Sequence, residues 1–167
     1  MTERLKLAVP ALLACALLTG CSSMGKNAET RDEAQMREGT QRTSSQVLDM
    51  IGLKGKVTEG GPLPLKCEGY ASDEVEQMDH PWSIYDLPYE ELEKAYERMR
   101  TTLPAKGWKV TQDGPDESPA KTPTLRAETP DGDYAVELQL MDNHKDPTSK
   151  TKALIGVTVV SRCFRPS

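Results

Sequence analysis

The chain has 167 residues, of which 37% are hydrophobic and 28% charged, enough apolar material for one domain with a short appendage and too little length for a multidomain assembly. Asp plus Glu outnumber Lys plus Arg, 26 to 21, leaving a net charge of −5. No basic surface for neutralising phosphates is implied, and nucleic acid is not expected as a partner.

Arg4 and Lys6 precede an uncharged run from Leu7 to Leu18 that contains Pro10. A membrane-spanning helix needs about 20 apolar residues, so this run reads as the core of an export signal over residues 1–20 rather than a permanent span. Directly after it stands Leu18-Thr19-Gly20-Cys21. These four residues resemble the lipobox of bacterial lipoproteins. The resemblance implies that the Cys21 thiol takes a diacylglycerol group, that the leader is cut just before it, and that Cys21 becomes the first residue of the mature chain. It further implies a cell-membrane address, lipid-anchored on the extracytoplasmic face, with membrane lipid as a partner through Cys21. Two acyl chains hold a protein stably at a bilayer where one holds only marginally.

Of the four cysteines, Cys15 lies in the leader and Cys21 is assigned to lipid, which leaves Cys67 and Cys163. An exported chain folds in an oxidising setting, so this pair is expected as a disulfide. In the chain-entropy model, closing a loop of that length contributes about 4–5 kcal/mol. A zinc site is the weaker alternative, because neither cysteine has a CxxC or histidine neighbour.

Residues 21–43 carry few apolar side chains and read as a polar, lipidated tether, leaving 44–167 as the folded domain. Thr30 and Glu33 have capping-box spacing, and Ser45 offers a second cap for a short helix through Val47, Leu48 and Ile51 that stops at Gly52. After a Gly/Pro-rich loop, Leu65 to Glu68 and Trp82 to Tyr85 are candidate strands. Asp86 to Leu103 is the clearest helix, with Pro88 in its first turn and Leu92, Ala95, Tyr96, Met99 and Leu103 on one face.

Strands are expected from Trp108, over Thr124 to Ala127, over Tyr134 to Leu140 and over Ala153 to Val160. The third alternates apolar with polar residues and the fourth is almost wholly apolar. Continuing the alternation of Ile155, Val157 and Val159 places Cys163 on the buried side. The expected fold is therefore α+β, an antiparallel sheet of about four to five strands with one long helix packed across one face. Leu103-Pro104-Ala105-Lys106-Gly107-Trp108 and the terminal Ser161-Arg162-Cys163 resemble a class of small actinobacterial lipoproteins, a likeness that implies lineage and no chemistry.

The usual catalytic patterns are missing from the sequence: there is no HExxH, GxSxG or Gly-rich phosphate loop. His80, beside Pro81, and His144, beside Asn143, read as surface-loop residues. Asp131-Gly132-Asp133 reads as a turn rather than a calcium loop, and Glu90, Glu91, Glu93 and Glu97 as a solvated helix face. No catalytic residue, metal or cofactor is expected. Six of the eight aromatic residues fall between Tyr70 and Trp108, and Tyr85 and Tyr89 stand where strand meets helix, which makes them the candidate partner-binding residues. The expected function is a non-catalytic binding module for a cell-envelope protein or polymer. An envelope enzyme and a passive structural lipoprotein are the alternatives.

Overall fold

The computed structural model describes residues 28–58, 60–70 and 72–167; the leader and Cys21 lie outside these. In chain order the elements are β1 (Glu29–Arg31), α1 (Glu33–Ile51), β2 (Lys56–Val57), β3 (Leu63–Lys66), β4 (Glu76–Tyr85), α2 (Tyr89–Ala105), β5 (Lys109–Pro115), β6 (Pro123–Glu128), β7 (Tyr134–Asp142), β8 (Ala153–Ser161) and β9 (Phe164–Pro166).

The fold class is α+β, but the expected sheet and helix count are both corrected. Among the described residues nine strands form one mixed sheet and two helices cover it. The strand path is β1-β9-β4-β8-β7-β6-β5, with β2 and β3 also paired to β4. β1 runs parallel to β9, and the other pairings are antiparallel.

The second helix is the larger surprise. The 19-residue α1 occupies much of the stretch expected as a tether and absorbs the short helix expected after Ser45. Its cap is Asp32, whose side chain accepts the Gln35 N–H at 2.7 Å, in place of the Thr30–Glu33 box. Its buried face is Met36, Gly39, Thr40, Thr43, Ser44, Val47 and Ile51, a regular helical spacing built largely from small and hydroxylic residues. Gly52 ends it in the left-handed region, at φ 68°, and donates its N–H to Leu48. Arg98 of α2 bonds the Ile51 carbonyl at 3.1 Å, so a side chain of one helix closes the other.

α2 agrees closely with its pattern: Leu92, Ala95, Tyr96, Met99 and Leu103 are all fully buried. Gly107, at φ 87°, turns the chain from α2 into β5. The helices share one core with the inward residues of the central strands, Trp82 and Ile84 on β4, Val136, Leu138 and Leu140 on β7, and Ile155, Val157 and Val159 on β8. On the opposite face the alternate residues, such as Glu137 and Thr158, are only half-buried. A smaller cluster of Met36, Met78 and Phe164 closes the core where β9 meets β4.

Cys67 and Cys163 form a disulfide with their Cα atoms 5.9 Å apart. It ties the start of the β3–β4 loop to the junction between β8 and β9. The alternation used to orient Cys163 does not survive, however. Two residues, Arg162 and Cys163, interrupt the strand, so Phe164 takes the fully buried position and Cys163 is only half-buried.

Candidate functional site

The two tyrosines singled out from the sequence are placed differently. β4 ends at Tyr85, and Asp86 then adopts a left-handed backbone, φ 63°, that turns the chain into α2. Such a conformation is costly for a residue with a β-carbon, so the turn is held by its surroundings. One of these is Lys56, whose ammonium lies 2.9 Å from the Asp86 carboxylate, and the pairing raises the lysine's pKa. Tyr85, Asp86 and Pro88 form one wall of an open groove of about 620 Å³, and Lys56, Lys150 and Lys152 also line it. Three lysines against one aspartate make this groove locally basic in a chain of net charge −5. Tyr89 is not part of it. That ring is half-buried against the core, where burial, then the carboxylate of Glu93, raises its pKa.

A second site carries no clear sequence signal, because His80 beside Pro81 reads as a loop residue. His80 lies within β4 on the helix-facing side, 5% exposed, and its Nδ1 is 2.7 Å from the Ser44 hydroxyl of α1. Burial lowers the pKa of His80, while the Gly60 backbone carbonyl and Asp79 pull it the other way. Ser44 Oγ and His80 Nδ1 share this hydrogen bond, its direction set by the tautomer of the ring. Pro81 does not break the strand, because β3 pairs with β4 only as far as Asp79 and β2 only from Ile84. The missing N–H falls in the gap between them.

Behind that gap is a cleft of about 250 Å³ between α1, the β2–β3 segment and β4, bordered by Ser44, His80 and Trp82. Trp82 is 7% exposed, and its indole N–H has no hydrogen-bond partner among the described residues. A buried donor left unpaired costs about 1–3 kcal/mol.

The opposite end of the sheet is a knot of charge around the disulfide. Arg162 reaches Asp133 at 3.1 Å, Arg31 reaches Asp133 at 3.4 Å, and Arg31 also holds Glu29 at 2.8 Å, which lowers the glutamate's pKa. These groups pair with one another and tie β1 to the β7 hairpin. His144 sits in the loop after β7, exposed, with its Nδ1 2.7 Å from Asp142. Asp131 bonds Thr129 and the Asp133 N–H, the geometry of a turn. Among the described residues no group of three or more His, Cys, Asp or Glu is arranged to hold a metal, and no helix is long and apolar enough to cross a membrane.

Compared with known proteins, the chain matches no family model, no curated sequence and no solved structure. Its geometry alone therefore bears on function.

Proposed function

We propose that this chain is a lipid-anchored extracytoplasmic binding module, held to the membrane through Cys21 and meeting an anionic cell-envelope polymer through the groove beside Tyr85. The disulfide carries the reading of compartment: an oxidised Cys67–Cys163 pair fits an exported chain, and the leader with Leu18-Thr19-Gly20-Cys21 supplies the route. The lysine-lined groove supports the reading of contact.

The arrangement of the two ends fits both. β1 begins at Glu29, eight residues after Cys21, and an extended chain of that length spans at most about 29 Å. The domain thus stands close to its anchor, where a longer tether was expected. Glu76, at the start of the ten-residue β4, pairs with Phe164 beside β1, and Tyr85 ends the same strand. At about 3.3 Å per residue, the groove lies roughly 30 Å from the anchored corner.

The test uses the full chain expressed in a bacterium. Wild type is expected to incorporate radioactive fatty acid and sediment with membranes, and Cys21→Ala to do neither. Detergent-extracted protein is expected to co-sediment with purified cell-wall sacculi, and Tyr85→Ala with Lys150→Ala and Lys152→Ala to reduce that recovery severalfold. Labelling retained in Cys21→Ala overturns the anchor. Equal recovery of the groove variant overturns the contact surface.

A further inference from the structure

Both helices pack on one face of the sheet, the face of Trp82, Leu138 and Val157. Among the described residues no helix covers the other. An antiparallel sheet that leaves one face to water normally carries polar residues at its outward positions. β8, in the middle of the sheet, departs from that rule: its outward positions are Leu154, Gly156, Thr158 and Val160, none of them charged. Met141, the partner of Leu154 on β7, lies over Gly156, its Cε 3.4 Å from where a β-carbon would stand.

At the edge of the same sheet stand Leu63 and Leu65 of β3, 60% and 47% exposed. They pair with Asp79 and Gln77, which alternate with the helix-facing Met78 and His80, so both leucines project from the uncovered face. Strand addition at this edge is disfavoured. Met78 turns its N–H to Ser161 on the β8 side, so its partner Pro64 turns outward a nitrogen with no hydrogen to give. Leu63, Asp79, Val160, Ala135 and Glu128 fall in one row across five strands. The far end of that row borders a shallow depression of about 250 Å³, where Ala135, Thr158 and Val160 lie beside the ion pair of Arg126 with Glu137. One face thus holds both a projection and a hollow.

We propose that this face binds a second copy of the chain, the two sheets packing face to face about a two-fold axis parallel to the strands and over β8. Such an axis sets Val160 near its own copy and carries Leu63 of each protomer onto the hollow of the other. It also brings Asp79 of one protomer to the strand beside that of Arg126 in the other. The Arg126 side chain, held by Glu137 yet 53% exposed, has N–H groups left for a second carboxylate. β4, β7 and β8 have nine or ten residues each, so at about 3.3 Å per residue and about 4.8 Å per strand the face from β3 to β6 measures about 700 Å² in projection. A stable interface takes roughly 800 Å² from each partner. An uncharged centre on β8 with polar residues on the flanking strands is the make-up of such an interface. The assignment rests on neither the lipid anchor nor the Tyr85 groove.

The experiment uses the full chain in detergent, its molar mass measured by light scattering behind size-exclusion chromatography and freed of the detergent's contribution. Wild type is expected to have the mass of two chains at micromolar concentration. Leu63→Asp with Leu65→Asp alters two exposed side chains and is expected to weaken self-association at least tenfold. Thr158→Arg, from the side of the hollow, is expected to do the same. Val160→Cys is expected to be joined to its own copy by a short bis-maleimide above the wild-type background, and Glu90→Cys, on the exposed side of α2, to remain at that background. A single-chain mass for wild type overturns the proposal. So does a two-chain mass that the leucine variant leaves unchanged, the result of two lipidated chains sharing a micelle or of contact through another surface. Equal cross-linking at positions 160 and 90 overturns it as well.

Discussion

The hydroxyl of Tyr134, at the start of β7, occupies the space that a β-carbon on Gly39 would need. Gly39 lies in the middle of α1, where glycine weakens a helix by about 1 kcal/mol relative to alanine. Packing overrides that preference. Gly39→Ala is therefore expected to destabilise the protein by about 1–3 kcal/mol through overpacking, despite better helix propensity. Tyr134→Phe removes the obstructing oxygen and should restore part of the loss. Denaturant midpoints of the two single variants and the double variant check this. Additive effects would show that the residues do not meet.

Tyr96 is fully buried, and that burial, against the opposing pull of Arg100, pushes its pKa up to about 12; its hydroxyl has no hydrogen-bond partner among the described residues. Tyr96→Phe relieves an unsatisfied group and leaves the ring in place. The expected result is unchanged stability or a gain of about 1 kcal/mol. A clear drop in melting temperature would mean that the hydroxyl contributes a bond.

His80 sets an acid limit on stability. Its folded pKa is lowered by burial, so the unfolded chain binds the proton more readily as pH falls through the ordinary histidine value of about 6.5. Stability from this group is full above that pH and is lost on acidification towards the folded pKa. Asp79 has the opposite sign: its carboxyl is raised by burial, so its unfavourable contribution appears as pH rises through the carboxylate range. Melting temperatures of wild type and His80→Gln across pH 5–8 separate the two. The variant is expected to be less stable at neutral pH but flatter between about pH 5 and 6.5.

The disulfide joins residues 96 apart in sequence. Cys163→Ser is expected to lower stability by about 4–5 kcal/mol, with reduction of the wild type giving a similar fall. Peptide mapping without reductant identifies the linked pair. A variant with an unaltered unfolding midpoint would show that the bond contributes nothing to the folded state.

What could be read from the sequence follows the chemistry of each buried face. α2 turns Leu92, Tyr96, Met99 and Leu103 inward, and β7 turns Val136, Leu138 and Leu140 inward, so hydrophobic periodicity identifies both. α1 has the same geometry, but four consecutive inward positions are Gly39, Thr40, Thr43 and Ser44, whose polarity resembles that of a tether. Thr40 satisfies its own hydroxyl by bonding the Met36 carbonyl at 2.8 Å, a local solution that composition does not reveal. β1 and β9 have three residues each and exist through their parallel pairing across most of the chain, for which no local pattern exists. The second cleft is hidden for a related reason: Pro81 beside His80 signals a loop unless the gap on β4 between its β3 and β2 pairings is known.

The span closed by the disulfide runs from Cys67 to Cys163, so β1 and α1 lie outside it. Tension applied from the N-terminal side, the side on which Cys21 lies, would act first on those two elements, which no cross-link holds to the sheet and which only non-covalent contacts keep packed against it. β1 would peel from β9 and α1 from β4, baring Met78, His80 and Trp82 while the stapled loop stayed closed. The chain is thus built in two mechanical grades, a detachable N-terminal cover and a body that cannot be pulled open beyond its covalent link.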